Sequence, residues 1–182
     1  MLARNTTWTF SRDVDLKFEF VGVNYYDGQG FMAKADLGVS SATELDGATV
    51  CIQTGTTTEL NLADFFRSNN MSYEPVPVET GSEAVTNYMA GACDVFTTDR
   101  SALAARRANM ENPDEHVVLP EIVSKEPLGP LVRHGDNNWG DVVRWTLNAL
   151  ITAEELGVTQ ANLEEMSKGT NNPEMNRLLG SE

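Results

Sequence analysis

Two stretches place hydrogen-bond donors and a carboxylate where a small zwitterion could use them. The first is Thr54-Gly55-Thr56-Thr57-Thr58-Glu59. An apolar run, Thr49 to Gln53, leads into it and a helical pattern, Leu60 to Asn69, leads out, which predicts a strand-to-helix turn. Thr56 precedes Glu59 by three residues, the spacing of a capping box in which the Thr hydroxyl takes the Glu59 amide and the carboxylate reaches back. The amides of Thr57 and Thr58 are then left open at the positive end of a helix dipole, a setting for a carboxylate or phosphate that needs no charged side chain. The stretch alone fits a merely well-capped helix equally well. The second stretch is Thr98-Asp99, at the end of the apolar run Cys93 to Thr97. Asp99 could receive an ammonium, or it could cap a helix beginning near Arg100 or Ser101. Arg12, in a polar loop far upstream, could clamp a carboxylate with two parallel bonds, or be simply solvated.

The elements needed to position these groups follow from patterning. From Leu37 to Val132 strand-like runs alternate with helical ones, which predicts parallel βαβ units and a helix-covered sheet. In such sheets ligands sit outside the carboxyl ends of the strands, and that rule selects the Thr56–Thr58 turn and Asp99. Leu62, Phe65 and Phe66 give the first helix its buried stripe. Tyr73 to Val78 is a short strand that tolerates Pro75 and Pro77 only at an edge. Gly81 opens a helix closed at Gly91, Ser101 to Asn109 forms another, and Val117-Val118-Leu119 and Leu128 to Arg133 are further strands. Ahead of this region, Phe18 to Val23 alternates as a strand, Tyr25 to Gly30 reads as a turn, and Gly30 to Lys34 as a strand crossing between regions. Beyond Gly135 the pattern is wholly helical. Trp139, Val142, Val143, Leu147, Leu150 and Ile151 recur at helical spacing, and a shorter helix capped by Thr159 and a last turn from Pro173 to Gly180 follow.

The chain has 182 residues, 41% of them hydrophobic and 22% charged, enough for one good core or two small lobes. Its formal charge of −14 argues against nucleic acid, because phosphate binding needs clustered Lys and Arg and the 13 basic residues are scattered. No run has the length of a membrane span, and no charged start with an apolar core marks a signal peptide. No metal-ligand spacing, nucleophile motif, P-loop or dinucleotide fingerprint is present, so the sequence calls for no cofactor and no catalytic residue. His116 and His134 read as ordinary loop histidines. Cys51 and Cys93, both at predicted strands, are either buried free thiols or, if their strands are neighbours in an oxidising compartment, a disulfide.

Four motifs in order carry a resemblance over nearly the whole chain: Leu2-Ala3-Arg4-Asn5-Thr6-Thr7-Trp8-Thr9 with Arg12, Tyr25-Tyr26-Asp27-Gly28-Gln29-Gly30-Phe31-Met32, Gln53 to Glu59, and Cys93 to Asp99. Together they resemble the periplasmic solute-binding proteins of polar amino-acid ABC transporters, most closely the general L-amino-acid-binding branch. The resemblance implies two α/β lobes of the periplasmic-binding-protein type II kind, joined by hinge strands and closing on one L-amino acid in the cleft for delivery to an ABC permease. It implies that Arg12 clamps the ligand α-carboxylate with Asn5 and Thr7 beside it. The Thr57 amide, next to Thr56, takes the same carboxylate, and Asp99 receives the α-ammonium. Family members usually carry a signal peptide and most of a first lobe ahead of the position of Met1, and continue past Glu182. The sequence therefore reads as a partial first lobe and hinge (1–36), a complete second lobe (37–132) and returning first-lobe helices (133–182). The unpaired apolar stripe from Trp139 to Ile151 adds the expectation of a homodimer, either side by side or with exchanged segments. Capture rather than conversion is expected; the alternatives are a dimerising lobe that binds nothing and a dehydratase-like enzyme on the same scaffold.

Overall fold

The computed structural model describes residues 1–181. The chain divides into two compact units, Tyr25–Pro127 and the segments flanking it. The boundaries fall at Asn24/Tyr25 and Pro127/Leu128, where sequence patterning placed them at 36/37 and 132/133.

Within Tyr25–Pro127 the strands are β2 (Tyr25–Asp27), β3 (Gln29–Lys34), β4 (Ala48–Gln53), β5 (Tyr73–Val78), β6 (Val95–Asp99), β7 (His116–Val118) and β8 (Glu126–Leu128, whose last residue lies past the boundary). Helices α1 (Thr57–Ser68), α2 (Gly81–Met89) and α3 (Arg100–Ala108) alternate with them. Five strands form a mixed sheet in the order β5-β4-β6-β3-β7, in which β4 is parallel to β5 and β6, and β3 is antiparallel to β6 and β7. The segment read as a turn from Tyr25 to Gly30 thus holds β2 and the start of β3, and β3 is an interior strand of this sheet. That is why the unit begins earlier in the chain than patterning suggested.

Period-two alternation decides which side chain packs on which helix. Phe31, Val50, Ile52 and Val95 point to one face and pack with Leu62 and Phe66 of α1. Their neighbours Met32, Cys51 and Phe96 point to the other, against Ala84 and Tyr88 of α2 and Leu103 of α3. All twelve have at most 2% of their surface exposed, and the Val, Leu, Ile, Phe and Met side chains among them contribute roughly 1.5–3 kcal/mol each on burial. Cys51 and Cys93 are joined in a disulfide, with Cα atoms 5.6 Å apart, beneath the α2 face. Strand β5 occupies the sheet edge, as Pro75 and Pro77 require.

His116 is not a loop histidine. It opens β7 with 3% of its surface exposed, and its Nδ1 lies 2.8 Å from the Tyr88 hydroxyl of α2. Burial pushes the His116 pKa down, with Glu115 and Asp36 opposing and Lys34 and Arg107 reinforcing the shift. Burial, and next the charge of Asp36, pushes the Tyr88 pKa up. A histidine whose folded pKa lies below its unfolded value of about 6.5 contributes stability that is complete above that value and is lost as pH falls through it toward the folded pKa. Thermal melts from pH 8 to 5 are expected to show this loss, with a slope of up to about 1.4 kcal/mol per pH unit. His116→Gln is expected to flatten the curve; an unchanged slope in that variant would assign the dependence elsewhere.

The flanking unit pairs β1 (Phe18–Phe20) antiparallel with β9 (Leu131–Arg133) and packs α4 (Asn137–Glu155), α5 (Leu163–Met166) and α6 (Pro173–Leu179). Asn162, not Thr159, occupies the N-cap position of α5. The apolar residues of α4 do not share one face. Val143 is buried with Val21 and Val132, and Leu147 approaches Gly22, whereas Trp139, Val142, Trp145 and Leu150 are 45–68% exposed. No helix among the described residues is long and apolar enough to cross a membrane.

Candidate ligand-binding site

The turn at Thr54–Glu59 forms because Gly55 adopts a left-handed conformation, φ 70°, that side-chain-bearing residues avoid. Thr56 is the N-cap of α1, and its hydroxyl accepts from the Glu59 amide at 3.3 Å. The reciprocal bond lands one residue earlier than the capping-box spacing predicts. The Glu59 carboxylate takes the Gly55 amide, at 2.8 Å, and so secures the turn itself. The first-turn amides of Thr57 and Thr58 point out of the helix start with no acceptor among the described residues.

Asp99 ends β6, next to β4 in the sheet, and is 5% exposed. The open amides and this carboxylate therefore emerge from the carboxyl ends of neighbouring parallel strands, which lie about 4.8 Å apart in a sheet. Although Asp99 stands at the N-cap position of α3, its side chain makes no capping bond. Asp27 caps instead, across 74 positions of sequence. Its carboxylate accepts from the Ser101 amide, at 3.3 and 3.4 Å to its two oxygens, and from the Ser101 hydroxyl. Gly30 follows from the same packing, since a Cβ there would stand 2.8 Å from Cγ of Arg100.

Sequence reasoning passed over Glu126. It is 2% exposed and accepts from Ser124 Oγ (2.6 Å), Asn61 Nδ2 (2.8 Å) and Thr57 Oγ1 (3.2 Å). A buried carboxylate is fastened by the last two of these bonds to the first turns of α1. No charge pattern or motif marks it, because its donors come from an adjacent loop and from a helix more than sixty residues away.

Three of the expected site residues, Thr56, Thr57 and Asp99, thus meet at one edge of one unit. The other three belong to the flanking unit. Arg12 lies in a short helical segment, Ser11–Asp15, and its Nη1 donates to the Thr7 carbonyl at 2.9 Å. Thr7 is 5% exposed and bridges to Leu128, while Asn5 is exposed. The Arg12 loop is further braced by Trp8, which stacks on Phe20 at 5.3 Å and donates to Asp13 at 2.6 Å.

A mixed sheet with helices on both faces, carrying open amides at one strand end and an aspartate at the next, is an α/β fold of the kind expected for periplasmic-binding-protein-like type II lobes. Comparison with known proteins narrows this. No protein-family model matches the chain. All 182 residues align at 64% identity with a glutamate/glutamine/aspartate/asparagine-binding protein of Rhodobacter capsulatus, of which they cover 54%. They align at 59% identity with a general L-amino acid-binding periplasmic protein of Rhizobium johnstonii, covering 53% of it. Among solved structures, an ABC transporter periplasmic binding protein from Brucella ovis with glutathione bound superimposes with a TM-score of 0.94 at 57% identity, over all of this chain and 57% of that one. An ancestral arginine-binding protein bound to arginine shares the fold alone, with a TM-score of 0.69 at 22% identity over 88% of this chain. By sequence the chain is similar to amino-acid-binding proteins, among them a putative amino-acid ABC transporter-binding protein of Escherichia coli at 51% identity, and it spans about half the length of the curated relatives it matches. These relatives are named as binding proteins and none as an enzyme.

Proposed function

We propose that this chain captures an L-amino acid for an ABC permease in the periplasm, by recognising the two charges common to all such ligands. The observation that carries the reading is the juxtaposition of the open Thr57 and Thr58 amides with Asp99 at neighbouring strand ends, the cap of α3 being supplied by Asp27. The amides and helix dipole suit the α-carboxylate, and Asp99 suits the α-ammonium. Arg12, steadied by the Thr7 carbonyl and with Asn5 nearby in sequence, is the proposed second ligand to the carboxylate. The Cys51–Cys93 disulfide supports an oxidising compartment. Isothermal titration with L-glutamate, L-glutamine, L-aspartate, L-asparagine and L-arginine tests the proposal. Saturable heat with several of these, lost when the α-amino group is acetylated or the α-carboxylate amidated, is expected. No heat with any of them overturns it.

The exposed apolar side of α4 supports a second component of the reading, a homodimer in which Trp139, Val142, Trp145 and Leu150 meet their counterparts on another copy. Sedimentation equilibrium at micromolar concentration is expected to give twice the chain mass, and Trp145→Glu to restore the monomer. A wild-type monomer under these conditions overturns the dimer and leaves the capture reading untouched.

A further inference from the structure

A buried polar network lies behind the amides and the aspartate. Gln29 opens β3 with none of its surface exposed and stands opposite Asp99 in the β3/β6 register. Directly opposed residues project to the same face of a sheet, so its side chain lies on the Asp99 side. Its Nε2 donates to the Thr58 carbonyl of α1 at 3.1 Å and to Thr97 Oγ1 of β6 at 2.9 Å. The Thr97 hydroxyl hydrogen is itself spent on the Gly30 carbonyl at 2.7 Å. Both partners therefore require a hydrogen from Gln29, and the amide cannot be turned over. Its Oε1 is consequently buried with no hydrogen-bond partner among the described residues. Such an orphan acceptor is destabilising, so the residue is held there against stability.

The backbone of the same residue extends the grip. The Gln29 amide donates to Ser124 Oγ at 3.3 Å, Ser124 donates to Glu126, and Glu126 accepts from Thr57. Gln29 thus touches α1 at a residue carrying an open amide, touches β6 two positions before Asp99, and reaches the other amide-bearing residue through Ser124 and Glu126.

We infer that Gln29 is a positioning residue, fixing the separation and orientation of the α1 amides relative to Asp99 so that both ends of one zwitterion are met at once. The inference rests on the capture reading above. Misplacement of such groups by an ångström costs up to about 100-fold, whereas a ligand using only one end is indifferent to their separation.

Gln29→Met provides the test in the 182-residue chain. Met keeps the shape and deletes the orphan acceptor. The Thr58 carbonyl retains the Leu62 amide in the helix, and Thr97 retains Gly30. The variant is expected to melt at or above the wild-type temperature and to bind L-glutamate about 10–100-fold more weakly. Glutarate, which lacks the ammonium, is expected to bind both forms equally weakly, read by shifts of the Thr57 and Thr58 amide resonances. Unchanged glutamate affinity in the variant overturns the inference while leaving capture intact. Equal losses for glutamate and glutarate overturn it in favour of a purely structural role. Where the wild type prefers another of the five amino acids, that ligand and its analogue lacking the ammonium take the place of glutamate and glutarate; no binding of any of the five by the wild type overturns both readings. Should Gln29→Met fail to fold, Ser124→Ala, which removes the hydroxyl joining the Gln29 backbone amide to Glu126 and leaves the Gln29 side-chain bonds in place, carries the same comparison, with a loss for glutamate and none for glutarate.

Discussion

Asp99→Ala is expected to weaken L-amino-acid binding by at least about 100-fold, roughly 3 kcal/mol, the scale of truncating one partner of a desolvated charge pair. The size follows from burial, since at 5% exposure water substitutes poorly for a missing carboxylate beside the ligand ammonium. The partner variant is Asp27→Ala. Because Asp27 supplies the cap of α3, its loss is expected to cost about 0.5–2 kcal/mol of stability, whereas Asp99→Ala leaves that cap in place. Calorimetric titration with thermal melts of both variants separates the roles. Wild-type affinity in Asp99→Ala, or a loss of the α3 cap in that variant instead of in Asp27→Ala, would reverse the assignment.

The second large effect is on stability. The disulfide joins positions separated by 42 residues, and closing a loop of that size removes about 4 kcal/mol of conformational entropy from the unfolded chain in the loop-closure account. Cys51→Ala with Cys93→Ala, or reduction by a strong thiol reductant, is expected to lower stability by about 2–4 kcal/mol and the melting temperature by about 5–15 °C. Both sulfurs lie beneath the α2 face, among Val78, Ala84, Tyr88 and Phe96, so reduction is expected to be slow without denaturant. Two free thiols titrated in the unreduced native protein, or a melting temperature indifferent to reductant, would contradict this.

The parts of this fold that could be read from sequence are those whose cause is local. Thr56 caps α1 through a hydroxyl that accepts from the Glu59 amide three residues on, and the prolines of β5 demand an edge. What escaped reading has its cause far along the chain. β2 pairs with β8 about a hundred residues away, and neither alternates in a way that announces a strand. Asp27 caps a helix it precedes by more than seventy residues, so local logic kept the cap open as an alternative reading of Asp99. Gln29, Glu126 and His116 are polar residues in buried places, where each is satisfied wholly or in part by a distant partner, and hydrophobic periodicity is blind to them. The disulfide stayed open for the same reason. Two cysteines at strands make a bond only if the sheet order brings them together, and that order depends on β6 lying against β4.

The prolines of β5 have a consequence beyond placing it at the edge. The Thr54 amide of the β4 side donates to the Val78 carbonyl, so by alternation residues 74, 76 and 78 turn their backbone groups toward β4, and 75 and 77 turn theirs to the open side. Pro75 and Pro77 therefore remove the donors at two successive outward positions. A foreign strand approaching this edge finds carbonyls but no matching hydrogens, which blocks sheet extension between molecules. Crowded chains of this protein are in this way kept from zipping together along β5, the parallel-paired edge of the sheet.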